Sequence, residues 1–498
     1  MKIKSIQLFI LIFIFLTIFT VGKVNAQNGK LFTVNDSGDS NDTNISDYIC
    51  ADANGKCTLR AAIQQAGISN ALHGISFGLA LPATIELTLG ELRVTSNVYI
   101  VGPGARKLTV QRSTAAGTPN FRVFNFVPNI GGLLMLYGLK IKNGNLPDGN
   151  GGGIYIGSSN IITLSDVVVS ENTANRGGGI FSEGGLSIRR SLIYSNTAVA
   201  NQSGGGAGGG LYASAPFAIG DIVNSTLTQN NAIEGGSIYH AGRSLFLVND
   251  TISHNNAANL GCSIVNIGNG NLTVLNTIVG MDSSASVSSL SGAFVSFGNN
   301  LITDARNSTG FTNNVNGDQV SNNNSINPLL GNLADNGGQT DSRTLLDGSP
   351  AINKANNCVY YSNCPQPIDS RFYETADQRL KYFRLSGSAV DVGAYEAQSS
   401  IINATGTLSY FFSGTRTGGN LVILTNTGNN EQTARIIKPF GSTTFNNILY
   451  GEVYFLETRY KFFDSRGIVG LSGLGNLPIP PQNITTIEKD GLQITWNK

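Results

Sequence analysis

A glycine block recurs five times in this chain: GGGIYI from Gly151, GGGIFS from Gly177, GGGLYA from Gly208, GGSIYH from Gly235 and GCSIVN from Gly261. The intervals of 26, 31, 27 and 26 residues make this an internal repeat. A unit so short cannot bury its own apolar face and must stack on copies of itself in a solenoid. Function then belongs on a long, regular surface.

A second signature lies between the blocks. An aliphatic residue is followed three positions later by Asn, in the pairs Val169/Asn172, Ile193/Asn196, Leu227/Asn230 and Ile252/Asn255. Ahead of it apolar residues alternate, as in Leu186/Ile188 and Leu245/Leu247, and period-two alternation specifies strands. The expected fold is all-β: a parallel β-helix with an aliphatic interior, Gly corners and a ladder of stacked Asn. Such an Asn can take a left-handed backbone and bond to the Asn of the next coil. Six positions before each Asn stand Asp166, Arg190, Asn224 and Asn249, which predicts a second polar ladder with Asp166 and Arg190 as a structural ion pair. Counting residues 75–300 at roughly 25 per coil gives about nine coils.

The ends bound the domains. Residues 1–26 read as a secretory leader: Lys2 and Lys4, an apolar run over 8–19, then Val24-Asn-Ala26 as a cleavage site. A retained membrane anchor is the alternative reading. Residues 27–74 form an N-terminal cap, with Leu59, Ile63 and Ala66 on one face of a short helix that covers the first coil. Residues 301–397 are rich in turn residues and serve as the C-terminal cap, because a solenoid must cover its end edges. Alternating strands over 406–424, 434–437 and 452–463 assign 398–498 to a small β-sandwich.

Chemistry is sparse. Loss of Lys2, Lys4 and Lys23 with the leader takes the net charge from +1 to −2, and only 13% of residues are charged. That excludes the basic footprint of a nucleic-acid binder. No later segment has the run of apolar residues that a spanning helix needs. Cys50 and Cys57, and Cys358 and Cys364, are close in sequence and read as local disulfides in an exported protein. Cys262 takes the second position of its glycine block and reads as a core residue rather than a nucleophile. The acidic residues Asp148, Asp166, Glu171, Glu183, Asp221, Glu234 and Asp250 fall at different phases of the repeat, so they do not supply the paired carboxylates of glycoside hydrolysis. His73, His240 and His254 read as surface residues, and Asp52-x-Asn54-Gly55 as a turn, so no cofactor and no metal is assigned. The stretch 201–210, which lengthens one unit, reads as a corner bulge or a ligand-contacting loop.

Several motifs carry a resemblance. Cys50-x6-Cys57-Thr-Leu-Arg-Ala-Ala-Ile63 resembles the CSLREA motif of bacterial secreted repeat proteins, with Ala61 in place of its Glu. The segments Gly298-Asn-Asn-Leu-Ile302, Asn327-Pro-Leu-Leu-Gly331, Leu333-Ala-Asp-Asn-Gly-Gly338, Gly348-Ser-Pro-Ala-Ile352, Asp377-Gln-Arg379 and Val390-Asp-Val-Gly-Ala-Tyr-Glu396 resemble the choice-of-anchor Q region, with Leu380 where a Gly is usual. The repeats are similar to those of polymorphic outer-membrane proteins. Lys438-Pro-Phe-Gly441, Phe445-x-x-Ile448 and Gly451-Glu-x-Tyr454 resemble a carboxypeptidase-regulatory-type sandwich. The resemblance implies a right-handed parallel β-helix of pectin-lyase-like form, secreted or held at a bacterial cell surface, with no established reaction. The expected function is adhesion or binding of an extracellular polysaccharide or surface protein; the alternative is a polysaccharide lyase or glycoside hydrolase.

Overall fold

The computed structural model describes residues 29–397, apart from 129–130, 216–218, 269, 283–285, 369–371 and 381–383, together with the strands between 405 and 497. The leader at 1–26, the motif at 438–441 and Gly451-Glu452 lie outside the described residues. Three long parallel sheets stack ten, ten and nine strands deep. The first runs from Leu31–Val34 to Val295–Ser296, the second from Ala83–Leu87 to Gln319–Val320 and the third from Leu92–Val94 to Asn307–Thr309. A fourth, of five strands, runs from Asn145–Asn150 to Asn256–Leu260. The chain is a parallel β-helix, and its stacking begins before residue 75 and continues past residue 300.

One coil explains the repeat. Ile154–Ile156 lies in the third sheet, Ile161–Ser165 in the first, Val168–Ser170 in the second and Thr173–Arg176 in the fourth. Alternate residues point inward and stack on their equivalents, as in the column Ile154, Ile180, Leu211, Ile238, Ile264 and Leu290. All six are fully buried, and each contributes roughly 1.5–3 kcal/mol.

The corners need separate solutions, because a bend takes backbone N–H groups out of the sheet ladders. At the Asn corner, Asn172 N–H donates to Asn196 Oδ1 (3.1 Å), Asn196 to Asn230 (3.1 Å) and Asn230 to Asn255 (3.0 Å). Each Nδ2 also donates to a backbone carbonyl of the preceding coil, such as Val169 O for Asn196 (2.9 Å). The left-handed residue is not the Asn but the one before it: Glu171, Ser195, Gln229 and His254 have φ of 53–58°. The ladder starts at Gly144, whose N–H donates to Asn172 Oδ1, and ends at Asp282, which accepts from Asn255 N–H.

The second ladder exists, one residue later than its expected place. Asp166, Arg190, Asn224 and Asn249 are the left-handed corner residues themselves, with φ of 49–57°. The inward ladder is formed by the residues after them: Ser191 N–H donates to Ser225 Oγ, Ser225 to Asp250 Oδ1, Asp250 to Thr277 Oγ1 and Thr277 to Asn300 Oδ1, at 2.9–3.3 Å. Asp166 and Arg190 do form the expected ion pair, at 3.3 Å, but on the outside of the corner.

The first glycine of each block is also left-handed. Gly177 has φ +60°, and a Cβ on the following Gly178 would meet the carbonyl of Thr197 at 2.3 Å and that of Gly209 at 2.7 Å. Cys262 fits the same position, fully buried, because the fourth sheet has ended, and its Sγ lies 3.4 Å from Val287 O.

At the N-terminal end, helix α1 (Leu59–Ala66) buries Leu59, Ala62, Ile63 and Ala66 against the first coil. Thr58 caps it by accepting from Ala61 N–H. Arg60 ties it to Asp39 at 2.7 Å and to the carbonyls of Gly90 and Glu91. At the other end the expected cap divides in two. Strands at Asn307–Thr309 and Gln319–Val320 complete the stack, whereas the described residues of 328–397 turn back and lie along the flank of the rod. Beyond residue 404 the strands pair as two four-stranded antiparallel sheets, as a small sandwich requires. The bulge at 201–210 is a small hairpin, Ala200–Asn201 against Gly204–Gly205, pinned by Asn175 Nδ2 donating to Gly204 O at 2.7 Å.

Two stability measurements test the ladders. Asn196→Ala leaves several buried groups of two coils without partners and is expected to cost about 2–5 kcal/mol in urea unfolding. Burial pushes the Asp282 carboxyl up to about 7, so its protonated form contributes stability that is lost as pH rises from about 4 through 7. Asp282→Asn restores the residue type of the ladder and should be increasingly more stable than wild type over that range. The gain should reach about 2 kcal/mol at pH 8, after allowance for partial exposure.

Candidate functional site

The two sides of the rod have different chemistry. One is covered by the chain's own residues 328–397, and the outward corner residues are what hold that segment. Arg190 faces Glu374 at 3.6 Å as well as Asp166, and Arg189 pairs with Glu374 and Asp221, each at 3.2 Å. Asn224 Nδ2 donates to Ala376 O (2.9 Å), Asn276 Nδ2 to Asn356 O (3.0 Å) and Asn299 Nδ2 to Lys354 O (2.7 Å). Farther along, Arg106 pairs with Asp335 at 2.9 Å and Asp341 at 2.6 Å. The flanking segment thus touches coils from residue 106 to residue 299. The disulfide Cys358–Cys364, with Cα atoms 4.6 Å apart, packs with Phe372 on Val223, Phe246 and Val248 of the first sheet.

The segment itself carries a buried charged network. Arg379 donates through Nε to Asp377 Oδ2 at 2.8 Å and stacks on Tyr395 at 3.7 Å. Glu396 accepts from the N–H groups of Ser386 and Asp391, and Arg384, fully buried, donates to the carbonyls of Asp391 and Gly393. Desolvation raises Glu396 and Asp250 well above the usual carboxylate range, with Arg384 opposing it in both. The Asp-Gln-Arg and Val-Asp-Val-Gly-Ala-Tyr-Glu segments are the two halves of this staple. Leu380 has φ +61°, which is why glycine suits that position.

The opposite face, on the third sheet, carries an aromatic ladder. Tyr155, Phe181, Tyr212 and Tyr239 occupy equivalent outward positions in consecutive coils, with centroids 5.6, 5.1 and 4.9 Å apart and planes within 16°. Arg122 covers the Tyr155 ring at 4.7 Å and Arg176 the Tyr212 ring at 5.8 Å. Tyr155 hydroxyl donates to Glu183 Oε2 at 2.8 Å, and Arg122 pairs with Glu91 at 3.2 Å. Desolvation, aided by Glu183, pushes the Tyr155 phenol up to about 12, and desolvation also raises Tyr212 and Tyr239. All three therefore remain hydroxyl donors at neutral pH. Ring faces are consumed by stacking and Phe181 is only 4% exposed, so the face presents ring edges and hydroxyls. Tyr212 and Tyr239 hydroxyls have no side-chain partner among the described residues.

The remaining candidates are structural. The disulfide Cys50–Cys57 closes the loop before α1, with Cα atoms 5.0 Å apart. Asp52 accepts from Asn54 N–H, Lys56 N–H and Ser40 hydroxyl, which makes a turn. Glu171 pairs with Lys142 at 3.0 Å, and Asp221 accepts from Ser187 hydroxyl. The histidines are not surface residues: His73 and His240 are each 1% exposed, the latter beside Asn266 Oδ1 at 2.8 Å, and burial with Arg343 nearby depresses His254 to about 4. The sequence places Tyr155 and Phe181 beside the glycine blocks as aromatics that could meet a carbohydrate, but alternation marks an outward position without saying that its neighbours stack. The register of Tyr155, Phe181, Tyr212 and Tyr239 relative to the glycine blocks held that signal.

No protein-family model matches the chain, and no curated protein matches it. Among the described residues no helix is long and apolar enough to cross a membrane.

The staple makes a direct prediction. Asp377→Ala removes the carboxylate from buried Arg379 and should cost about 3–5 kcal/mol, read as release of 328–397 by limited proteolysis before the rod unfolds.

Proposed function

We propose that this protein is an exported, non-catalytic β-helix that binds extracellular polysaccharide along its aromatic face. One observation carries the reading: equivalent Tyr residues recur at the coil spacing on a face that residues 328–397 leave uncovered. A surface with a fixed axial repeat complements a ligand with a fixed repeat, laid parallel to the rod. Phenol hydroxyls and the flanking Arg122, Arg176, Glu91, Glu183 and Glu234 match the hydroxyl-rich surface of a sugar chain. Two local disulfides fit an oxidising compartment and so favour secretion or display at the cell surface. The acidic residues of the coils support a binding role, since Asp166, Glu171, Glu183, Asp221 and Asp250 are engaged in ion pairs and hydrogen bonds within the rod.

Co-sedimentation with a panel of insoluble neutral and acidic polysaccharides tests this reading. Wild-type protein should be retained by at least one, and the double variant Tyr212→Ala/Tyr239→Ala should bind at least about tenfold more weakly, a loss of roughly 1.4 kcal/mol. Equal retention of both proteins, or none of either, would reject it. New reducing or unsaturated ends on the same polymers would instead establish the lyase or hydrolase reading.

A further inference from the structure

The charges that border the aromatic ladder are not used alike. Two of its acids are occupied: Glu91 pairs with Arg122 at 3.2 Å and accepts from Asn125 Nδ2, and Glu183 accepts from the Tyr155 hydroxyl at 2.8 Å. Two arginines of the same face, Arg93 and Arg176, are exposed and have no ion-pair partner among the described residues. Arg93 stands in the row of the ladder itself, since it registers with Asn125 and Asn125 with Tyr155. Arg176 ends the fourth-sheet strand of its coil and brings its guanidinium to 5.8 Å from the centre of the Tyr212 ring. The ring attracts the guanidinium and narrows its range, and no acid competes for its N–H groups. Beside it the Tyr212 and Tyr239 hydroxyls have no side-chain partner, and desolvation keeps both protonated, so they remain donors even next to an anion. A cation and two phenol donors thus share one short stretch of the face.

Taking the polysaccharide reading of this face as the premise, we propose that its polymer is a uronate polysaccharide, with one carboxylate on Arg176 beside the Tyr212 and Tyr239 hydroxyls and another on Arg93. A carboxylate presents two oxygens in one plane, which match two parallel N–H groups of a guanidinium. The register from Arg93 through Asn125, Tyr155 and Phe181 to Tyr212 spans four coil steps, roughly 19 Å along the axis at the parallel-strand spacing. A small acid reaches one arginine, whereas a chain lying along the ladder engages both and gains from their linkage. The charge is also sparse. Glu234, which lacks an ion-pair partner among the described residues, acts on both Tyr212 and Tyr239 and opposes a further anion there. That arrangement suits a polymer with carboxylates separated by neutral sugars and disfavours a densely sulfated one.

Affinity electrophoresis tests the class, in gels that hold hyaluronan or gellan, the carboxyl-reduced form of each, or dextran sulfate. Wild type should be retarded by at least one of the two uronate polymers, at least about tenfold more tightly than by its reduced form, a difference of roughly 1.4 kcal/mol. The retardation should fall as NaCl is raised, because exposed charges carry the preference. The double variant Arg93→Gln/Arg176→Gln removes no ion pair and should keep the wild-type Tm, while its uronate binding drops to the level of the reduced polymer. Tyr212→Ala/Tyr239→Ala should weaken binding to charged and reduced forms alike. Equal binding of the two forms by wild type, undiminished uronate binding by the arginine variant, or tighter binding to dextran sulfate would overturn the uronate assignment and leave a polysaccharide-binding face in place. Retardation by no polymer at all would reject both.

Discussion

The structure depends on how a chain bends without abandoning its backbone donors. At the two polar corners the answer has the same two parts: a residue with positive φ turns the chain, and the next residue points inward to accept an N–H from the preceding coil. This division separates a geometric task from a hydrogen-bonding one. The turning residue points out of the coil, so its side chain is available for contacts beyond the ladder. In this protein Arg190, Asn224, Asn276 and Asn299 use that freedom to hold the returning C-terminal segment.

The covering of one flank gives the rod two unlike sides. The staple around Asp377, Arg379, Arg384 and Glu396 commits one side to intramolecular packing, and the third sheet keeps an outward row of phenols. Several charges on the aromatic side are paired locally, as in Glu91 with Arg122 and Glu183 with Tyr155, so the face offers directional hydrogen bonds rather than a strong field.

Much of this was legible in the sequence, for identifiable reasons. The glycine blocks and the Asn positions show a fixed residue type at a fixed phase, because only glycine or Asn satisfies those corners. The second ladder was displaced by one residue because its inward members, Ser191, Ser225, Asp250, Thr277 and Asn300, share an acceptor oxygen but span four residue types. The outward row beside it happened to look more uniform. Fold-back of residues 328–397 was not legible, since its contacts join positions from 55 to more than 150 residues apart and leave no local pattern.

The fold-back also alters how the molecule comes apart. A bare solenoid behaves as a one-dimensional array, in which each coil answers only to its neighbours and end coils fray first. A strap fastened at Arg106, Arg190, Asn224, Asn276 and Asn299 ties distant coils to a common element. Loss of a coil anywhere beneath it then strains the strap at all its other fastenings. Unfolding of this rod should be concerted over the strapped length, and pulling on its ends should meet one high barrier instead of a series of small ones.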